Sequence, residues 1–314
     1  METEKPKIAL YVKRSFGEKF SASFDFIKEN WKLMLKYATY LLLPLCLVQA
    51  LSLNGLMTYT ISGLMDNGSI YSDSALLMSF MSYYGLYMLL LMVGVILLTS
   101  LVYAMIRTYN EREERLQGVT LGMLRPMLLH NVKRVFILVC FGLLLTIFAS
   151  LVIGVIAALF PDTLFPIVMI LFIPFMIAIA VPFSLWAPIY LLEDITIMNS
   201  LKKTFRLGFA TWGGIFMISF VMGIIAGILQ GVTLIPWYIG TVVKYIFATS
   251  GGGSEATVSV GYSFLLYLLA IVQVFGAYIA MIFSFVGLAY QYGHASEKVD
   301  SIMVESDIDN FDKL

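Results

Sequence analysis

The chain has 314 residues, 60% of them hydrophobic and only 13% charged, with a mean hydropathy of +0.89 and zero formal net charge. A soluble domain carries about 25% charged residues, so water cannot solvate a surface this apolar and lipid must cover much of it. Zero net charge gives no basic field for nucleic acid, and Cys46 and Cys140, both inside apolar runs, read as free thiols packed as small hydrophobes.

The first 30 residues are polar and charged, without a short apolar core followed by a small-residue cleavage site, so the first span is expected to act as the targeting signal. Within this segment Phe16, Phe20, Phe24, Ile27 and Trp31 recur every three or four residues, and Ser15 and Glu18 have capping-box spacing. The pattern predicts an amphipathic helix. Two placements fit it equally: a helix lying in the membrane interface, or one packed on the ends of the spans.

Six charge-poor stretches then reach the roughly 20 residues that a spanning helix needs. They predict spans at 34–55, 76–106, 135–160, 164–192, 213–235 and 262–292, with a tight hairpin at Pro161, Asp162 and Thr163. Nineteen Lys and Arg fall on one side of this arrangement and one, Lys244, on the other. The positive-inside rule therefore places both termini in the cytoplasm. The predicted organisation is a cytoplasmic amphipathic segment at 1–30, a six-span membrane domain at 31–294 and an acidic, disordered tail at 295–314. Trp31, Trp186, Trp212 and Trp237 fall near predicted span ends, where interfacial anchors belong.

An internal repeat is also visible. The segments leading into the odd-numbered spans align on Asn30-Trp31-Lys32, on Asn131-Val132-Lys133 and on Trp212. Each unit reads as a cytoplasmic amphipathic segment, a span, an outer turn and a span back. The second is interrupted by Pro126, and in the third Ile197, Leu201 and Phe205 form the apolar row, with Gly208 placed to end the helix. The expected fold is all-α: a polytopic membrane bundle of six transmembrane helices in three hairpins, each preceded by an amphipathic segment.

The run SLKKTFRLG from Ser200 to Gly208, followed by WGGIF from Trp212 to Phe216, resembles the cytoplasmic motif of six-span bacterial proteins of the glycerophosphoryl diester phosphodiesterase membrane-domain superfamily. The hydropathy profile is similar over nearly the whole chain. The resemblance implies a membrane fold in the bacterial cytoplasmic membrane. It does not imply phosphodiesterase activity, because in that family the chemistry sits in an attached soluble domain for which this chain has no room.

No Asp, Glu, Lys, Arg or His lies well inside a predicted span, which disfavours proton-coupled transport, intramembrane proteolysis and metal-dependent oxidation. His130 and His294 stand far apart at the cytoplasmic edge, and the glycine-rich run at 250–254 lacks the lysine and helix of a phosphate loop. No cofactor is expected. Glu193 and Asp194, adjacent and so pointing apart on a helix, read as neighbours of the positive start of the next amphipathic helix.

Gln49, Ser150 and Gln230 each lie 18 residues after Trp31, Val132 and Trp212, and with Gln273 they could form an intramembrane polar ring; hydrogen bonding between helices is the simpler reading. Ser219, Gly223, Gly227 and Gly231 form a four-residue stripe expected to pack the fifth span against a neighbouring helix. Ser150, Gly154 and Ala158 repeat it on the third span, and Gly276, Ala280 and Ser284 on the sixth. Pro166, Pro174, Pro182 and Pro188 predict a kinked fourth span. The leading functional expectation is a non-enzymatic scaffold or accessory subunit, touching membrane lipids and a cytoplasmic or membrane protein partner. A carrier or flippase for a lipid-like solute stands second and a membrane enzyme third.

Overall fold

The computed structural model describes residues 6–65, 74–160, 164–250 and 259–302. The hairpin at Pro161, Asp162 and Thr163, the glycine-rich loop beyond Ser250 and the tail beyond residue 302 lie outside the described residues. All regular elements described are helices: α1 (Phe16–Met65), α2 (Ser74–Glu111), α3 (Leu121–Leu159), α4 (Phe165–Phe183), α5 (Trp186–Leu192), α6 (Ile197–Ala210), α7 (Trp212–Ser250) and α8 (Val260–Val299). Six spans are long and apolar enough to cross a membrane: α1, α2, α3, α4 with α5, α7 and α8. The chain is an all-α, multi-pass membrane protein.

The helix starts follow from local chemistry. The Ser15 N–H donates to Glu18 Oε2 at 2.7 Å and the Glu18 N–H to Ser15 Oγ at 3.4 Å, closing the capping box. These bonds hold the Glu18 carboxyl below its usual range, the backbone bond to Ser15 being the largest cause. The amphipathic segment and the first span are one 50-residue helix. At 1.5 Å per residue that is about 75 Å, far more than a hydrocarbon core of about 30 Å. Thr120 and Thr196 cap α3 and α6 by accepting from Met123 N and Asn199 N. Pro126 sits inside the early turns of α3 without breaking it.

The fourth span does break, after Pro182. Ser184 and Leu185 form a tight turn there, their N–H groups donating to Val181 O and Pro182 O at 3.1 Å, and α5 restarts at Trp186. Gly208 does not end its helix as the sequence suggested, since α6 runs on to Ala210. Its small size answers to packing instead. A Cβ at Gly208 would stand 2.6 Å from Pro182 Cβ and 2.9 Å from Pro182 Cα, so this crossing of α4 and α6 requires glycine.

The chain divides into two compact units. The first comprises the described residues of Met1–Trp31, Thr99–Met222 and Ser284–Leu314. Its core includes Leu185, Ile189, Leu207, Ile215, Tyr292 and Ala295. Phe26 meets Tyr109 edge to face at 5.1 Å. Residues before α1 are also tied down. Lys7 Nζ donates to the carbonyls of Asn110 (2.6 Å) and Arg112 (3.1 Å), closing the end of α2, and Leu10 O lies where a Cβ on Gly293 would be. The acidic tail starts later than expected: residues 295–299 continue α8, with Ala295, Ser296 and Glu297 buried.

The second unit comprises Lys32–Leu98 and Gly223–Phe283. Ala50, Trp237 and Ala270 form a core cluster in it. Two glycines permit close crossings there: a Cβ on Gly94 would collide with the Tyr278 ring and hydroxyl, and one on Gly276 with the Thr233 side chain. The fifth-span stripe behaves otherwise. Among the described residues a Cβ on Gly223, Gly227 or Gly231 meets nothing within 4 Å, so these glycines pack on no described helix, and Gly227 does not face a neighbouring one. The same is true of Gly154 on α3.

Which faces are buried is informative. In the first part of α1 the inward residues are Lys19, Ala22, Ser23, Phe26 and Asn30, while Phe16 and Trp31 of the aromatic row are exposed. In α6 the buried row is Ser200, Thr204, Leu207 and Gly208, with Met198 and Phe209 outside. Asn30, Asn131 and Thr211, which align in the three segments, are all buried. So are the residues four positions after each (Met34, Val135 and Ile215) and seven before (Ser23, Leu124 and Thr204).

Candidate functional site

In the first unit the polar side chains converge on the turn between α5 and α6. Arg107 of α2 grips Asp194 with both terminal nitrogens, at 3.2 and 2.9 Å, and its Nε holds Glu111 at 2.7 Å. The bond from Arg107 is the largest cause that holds the Asp194 carboxyl below its ordinary range. Arg134 of α3 reaches the same turn from the interior. It donates to Glu193 O at 3.0 Å, Ile195 O at 2.7 Å and Asp194 Oδ1 at 3.3 Å, and its guanidinium lies 4.0 Å from the Tyr190 ring centroid. His130 Nε2 is 3.8 Å from Asp194.

Glu193 points another way. It accepts from the Tyr292 hydroxyl and pairs with Lys203 Nζ at 2.7 Å; Lys203 also holds Asp300 at 3.1 Å, and Arg206 holds Asp300 at 2.7 Å. The adjacent carboxylates are thus split between two sets of cations, and the turn is pinned to α2, α3, α6 and α8. This goes beyond the helix-start role that the sequence suggested. Nearby, buried Lys19 donates to Gln291 Oε1 at 2.7 Å, and burial lowers the pKa of its ammonium. His294 Nδ1 accepts from Arg14 N at 2.9 Å, and burial, helped by Lys19, Lys298 and Arg14, lowers its pKa to about 4.

The intramembrane polar ring does not assemble. Gln49 is fully buried in the second unit and accepts from the Tyr278 hydroxyl at 2.8 Å, and Gln273 is buried. Gln230 and Ser150 are exposed on their helices, Ser150 donating to Ile147 O at 2.8 Å. Spacing along a helix had suggested depth, but the neighbours that decide whether a residue is inside were not visible. Tyr278, the partner Gln49 finds, carries no pattern in the sequence that singles it out.

The tryptophans also divide. Trp31 is exposed and suits an interfacial anchor. Trp186 and Trp237 are buried and serve as internal hydrogen-bond donors, Trp186 to Ser200 Oγ and Trp237 to Asn54 Oδ1, both at 2.9 Å. Trp212 is half-buried and donates to Ala178 O at 2.9 Å.

An apolar groove of about 660 Å³ opens in the first unit, between α3 (Leu138, Gly142 and Leu145) and α4 with α5 (Ile179, Phe183 and Trp186), with Phe205 of α6 at one end. Its size falls within the roughly 300–1,000 Å³ of ligand sites, but it lacks the few converging polar groups that orient a ligand. Thr146 is its one hydroxyl-bearing side chain, and it is bonded back to Gly142 O at 2.9 Å. Among the described residues no group of three or more His, Cys, Asp or Glu is placed to hold a metal ion. Comparisons of the chain with family models, curated proteins and solved structures return no match.

Proposed function

We propose that the protein is a non-enzymatic scaffold or accessory subunit of a bacterial cytoplasmic membrane, with both termini in the cytoplasm. The observation that carries this reading is where the interior polar groups go. Gln49 closes on Tyr278 and Trp237 on Asn54, while the carboxylates of the α5–α6 turn close on arginines and lysine. A carrier spends such groups on a path for its solute. Here they fix helices to one another. Meanwhile α3 and the α4–α5 span leave their most apolar windows almost wholly uncovered, 6% buried in each. That surface is available to lipid and to a partner's helices. The shared burial of Asn30, Asn131 and Thr211 supports the three-unit repeat, and with it a fold that offers three related amphipathic segments on one side. The resemblance of the SLKKTFRLG run to the phosphodiesterase membrane-domain superfamily fits the same fold-level reading.

The groove between α3 and α4 favours a second reading, a carrier of a lipid-like solute. One experiment separates the two. A photoreactive residue at Leu151 or Leu171, exposed on α3 and α4, is activated in native membranes. A scaffold gives one protein adduct of constant mass that disappears when the purified protein is reconstituted alone. Lipid adducts alone at both positions overturn the scaffold in favour of the carrier. Orientation is tested with reporters active only in the cytoplasm, fused after Leu314 and within residues 250–254. The first should be active and the second silent, and the reverse pattern refutes the topology.

A further inference from the structure

A second cavity, of about 110 Å³, lies wholly within the second unit, between α1 (Asn54, Met57 and Thr58), α7 (Thr241, Lys244 and Tyr245) and α8 (Ser263 and Leu266). It is too small for a lipid tail, yet several times the roughly 10–15 Å³ that one water requires. Several of its polar groups have bonding capacity to spare. The Trp237 indole only donates, so the Asn54 oxygen must face it, at 2.9 Å, which leaves the Asn54 amide N–H groups to the cavity. Lys244 has no carboxylate within ion-pair distance among the described residues, its ammonium lying 5.8 Å from the Tyr245 ring centroid, and no side-chain hydrogen bond of Ser263 is seen there. By contrast the hydroxyls of Thr58 and Thr241 are already used, donating to Asn54 O at 3.0 Å and Trp237 O at 2.8 Å.

We infer that this cavity is a binding site for a single phosphate group, seated on Lys244 with Asn54 and Ser263 as neutral donors. An ammonium and an amide N–H only donate and a hydroxyl can donate as well, so the space offers three hydrogen bonds to an oxyanion while its ammonium repels a cation. The sequence adds an independent reason. Lys244 is the one basic residue of twenty that the positive-inside pattern leaves on the far side, where a lysine gains nothing from the membrane's charge asymmetry. The site uses none of the residues of the scaffold surface on α3 and α4, so its failure would leave that reading untouched. The phosphate belongs to free phosphate or to the headgroup of a phospholipid, and the two sources give different signatures.

The test is thermal unfolding of the full chain in detergent and in nanodiscs. In lipid-free detergent, sodium phosphate should raise the transition over sodium chloride at equal ionic strength. Lys244→Met should weaken the apparent affinity at least tenfold, Ser263→Ala about threefold, and Lys244→Arg should retain it. If a headgroup is the ligand, nanodiscs of phosphatidylglycerol should raise the transition over a disc of uncharged glycolipid and abolish the response to free phosphate, and Lys244→Met should remove both effects. Ser263→Asp is a second variant, with a carboxylate that repels the anion; it should unfold normally without phosphate and not respond to it. No shift from either source, or a shift of equal size in Lys244→Met, overturns the site and leaves it a water-filled pocket.

Discussion

Replacing Arg134 by methionine should cost far more stability than replacing the carboxylate it meets. Methionine keeps much of the buried stem, so the change isolates the guanidinium. The Arg134 side chain is 10% exposed and serves two carbonyls, Glu193 O at 3.0 Å and Ile195 O at 2.7 Å, while stacking 4.0 Å from the Tyr190 ring. Hydrogen bonds to a charged donor contribute about 1.5–3 kcal/mol each and a desolvated cation–π contact up to about 2 kcal/mol. These act through one group and do not add fully. Losing the charged donor of two carbonyls together with the ring contact should cost about 3–5 kcal/mol. The Asp194 side chain is 59% exposed, so its pairs are screened by water. Asp194→Asn should therefore cost only about 0–1 kcal/mol. Arg134→Lys keeps the charge without the planar fork and should fall between the two. Reversible unfolding of the full chain in mixed micelles, followed by far-ultraviolet circular dichroism, measures all three. Equal losses for Arg134→Met and Asp194→Asn would refute the claim that the turn is held by bonds to its backbone rather than by the visible ion pair.

Two further outcomes follow from glycine placement and from histidine burial. Gly208→Ala forces a methyl against Pro182 and should cost about 1–3 kcal/mol, whereas Gly227→Leu, with nothing near its Cβ, should change the unfolding midpoint by no more than about 0.5 kcal/mol. A large loss at Gly227 in a monomeric preparation would show that the stripe packs after all. For His294 the folded pKa, about 4, lies below the ordinary value of 6.5, so the unfolded chain binds the proton more readily. The contribution of this group is full above pH 6.5 and is lost as the pH falls towards 4. His294→Gln should flatten that part of the stability profile, and an unchanged profile would exclude His294 as its source.

The spans were legible because length and absence of charge decide them almost alone. The Ser15–Glu18 capping box was legible too, since its chemistry is local to four residues. What the sequence hid was direction around each helix. The 18-residue spacing put Gln49, Ser150 and Gln230 at a similar depth, but depth does not fix which neighbours a residue meets around its helix. Of the three, only Gln49 is buried, while Ser150 and Gln230 are exposed. Two of the three small-residue stripes, on the third and fifth spans, failed for the same reason, while Gly276 and Ala280 of the sixth are packed. Spacing identifies a face of small residues, but Gly276 and Gly223 look alike in the sequence while only the first has a side chain pressed against it.

The amphipathic segments show why a membrane chain reverses the usual inference. In water an apolar row on a helix points inward, because burial removes it from the solvent. Where the surroundings are lipid, an apolar row gains nothing by turning inward, while a polar group gains a partner. The first part of α1 mixes the two: Lys19, Ser23 and Asn30 turn in, with Lys19 bonded to Gln291, but so do Ala22 and Phe26, while Phe16 and Trp31 turn out. Of the two placements the sequence left open, the structure shows packing on one face, through Lys19, Ala22, Ser23, Phe26 and Asn30, while Phe16 and Trp31 on the other are exposed. The buried residue before Trp31, Val132 and Trp212 is Asn30, Asn131 or Thr211, each able to bond a carbonyl: Phe26 O at 2.9 Å, Ser100 O at 3.3 Å and Leu207 O at 2.8 Å. The bonds of Asn30 and Thr211 close on their own helices, four residues back, and that of Asn131 joins α3 to α2, so at this register a buried polar residue finds an acceptor without a polar partner on every neighbouring helix.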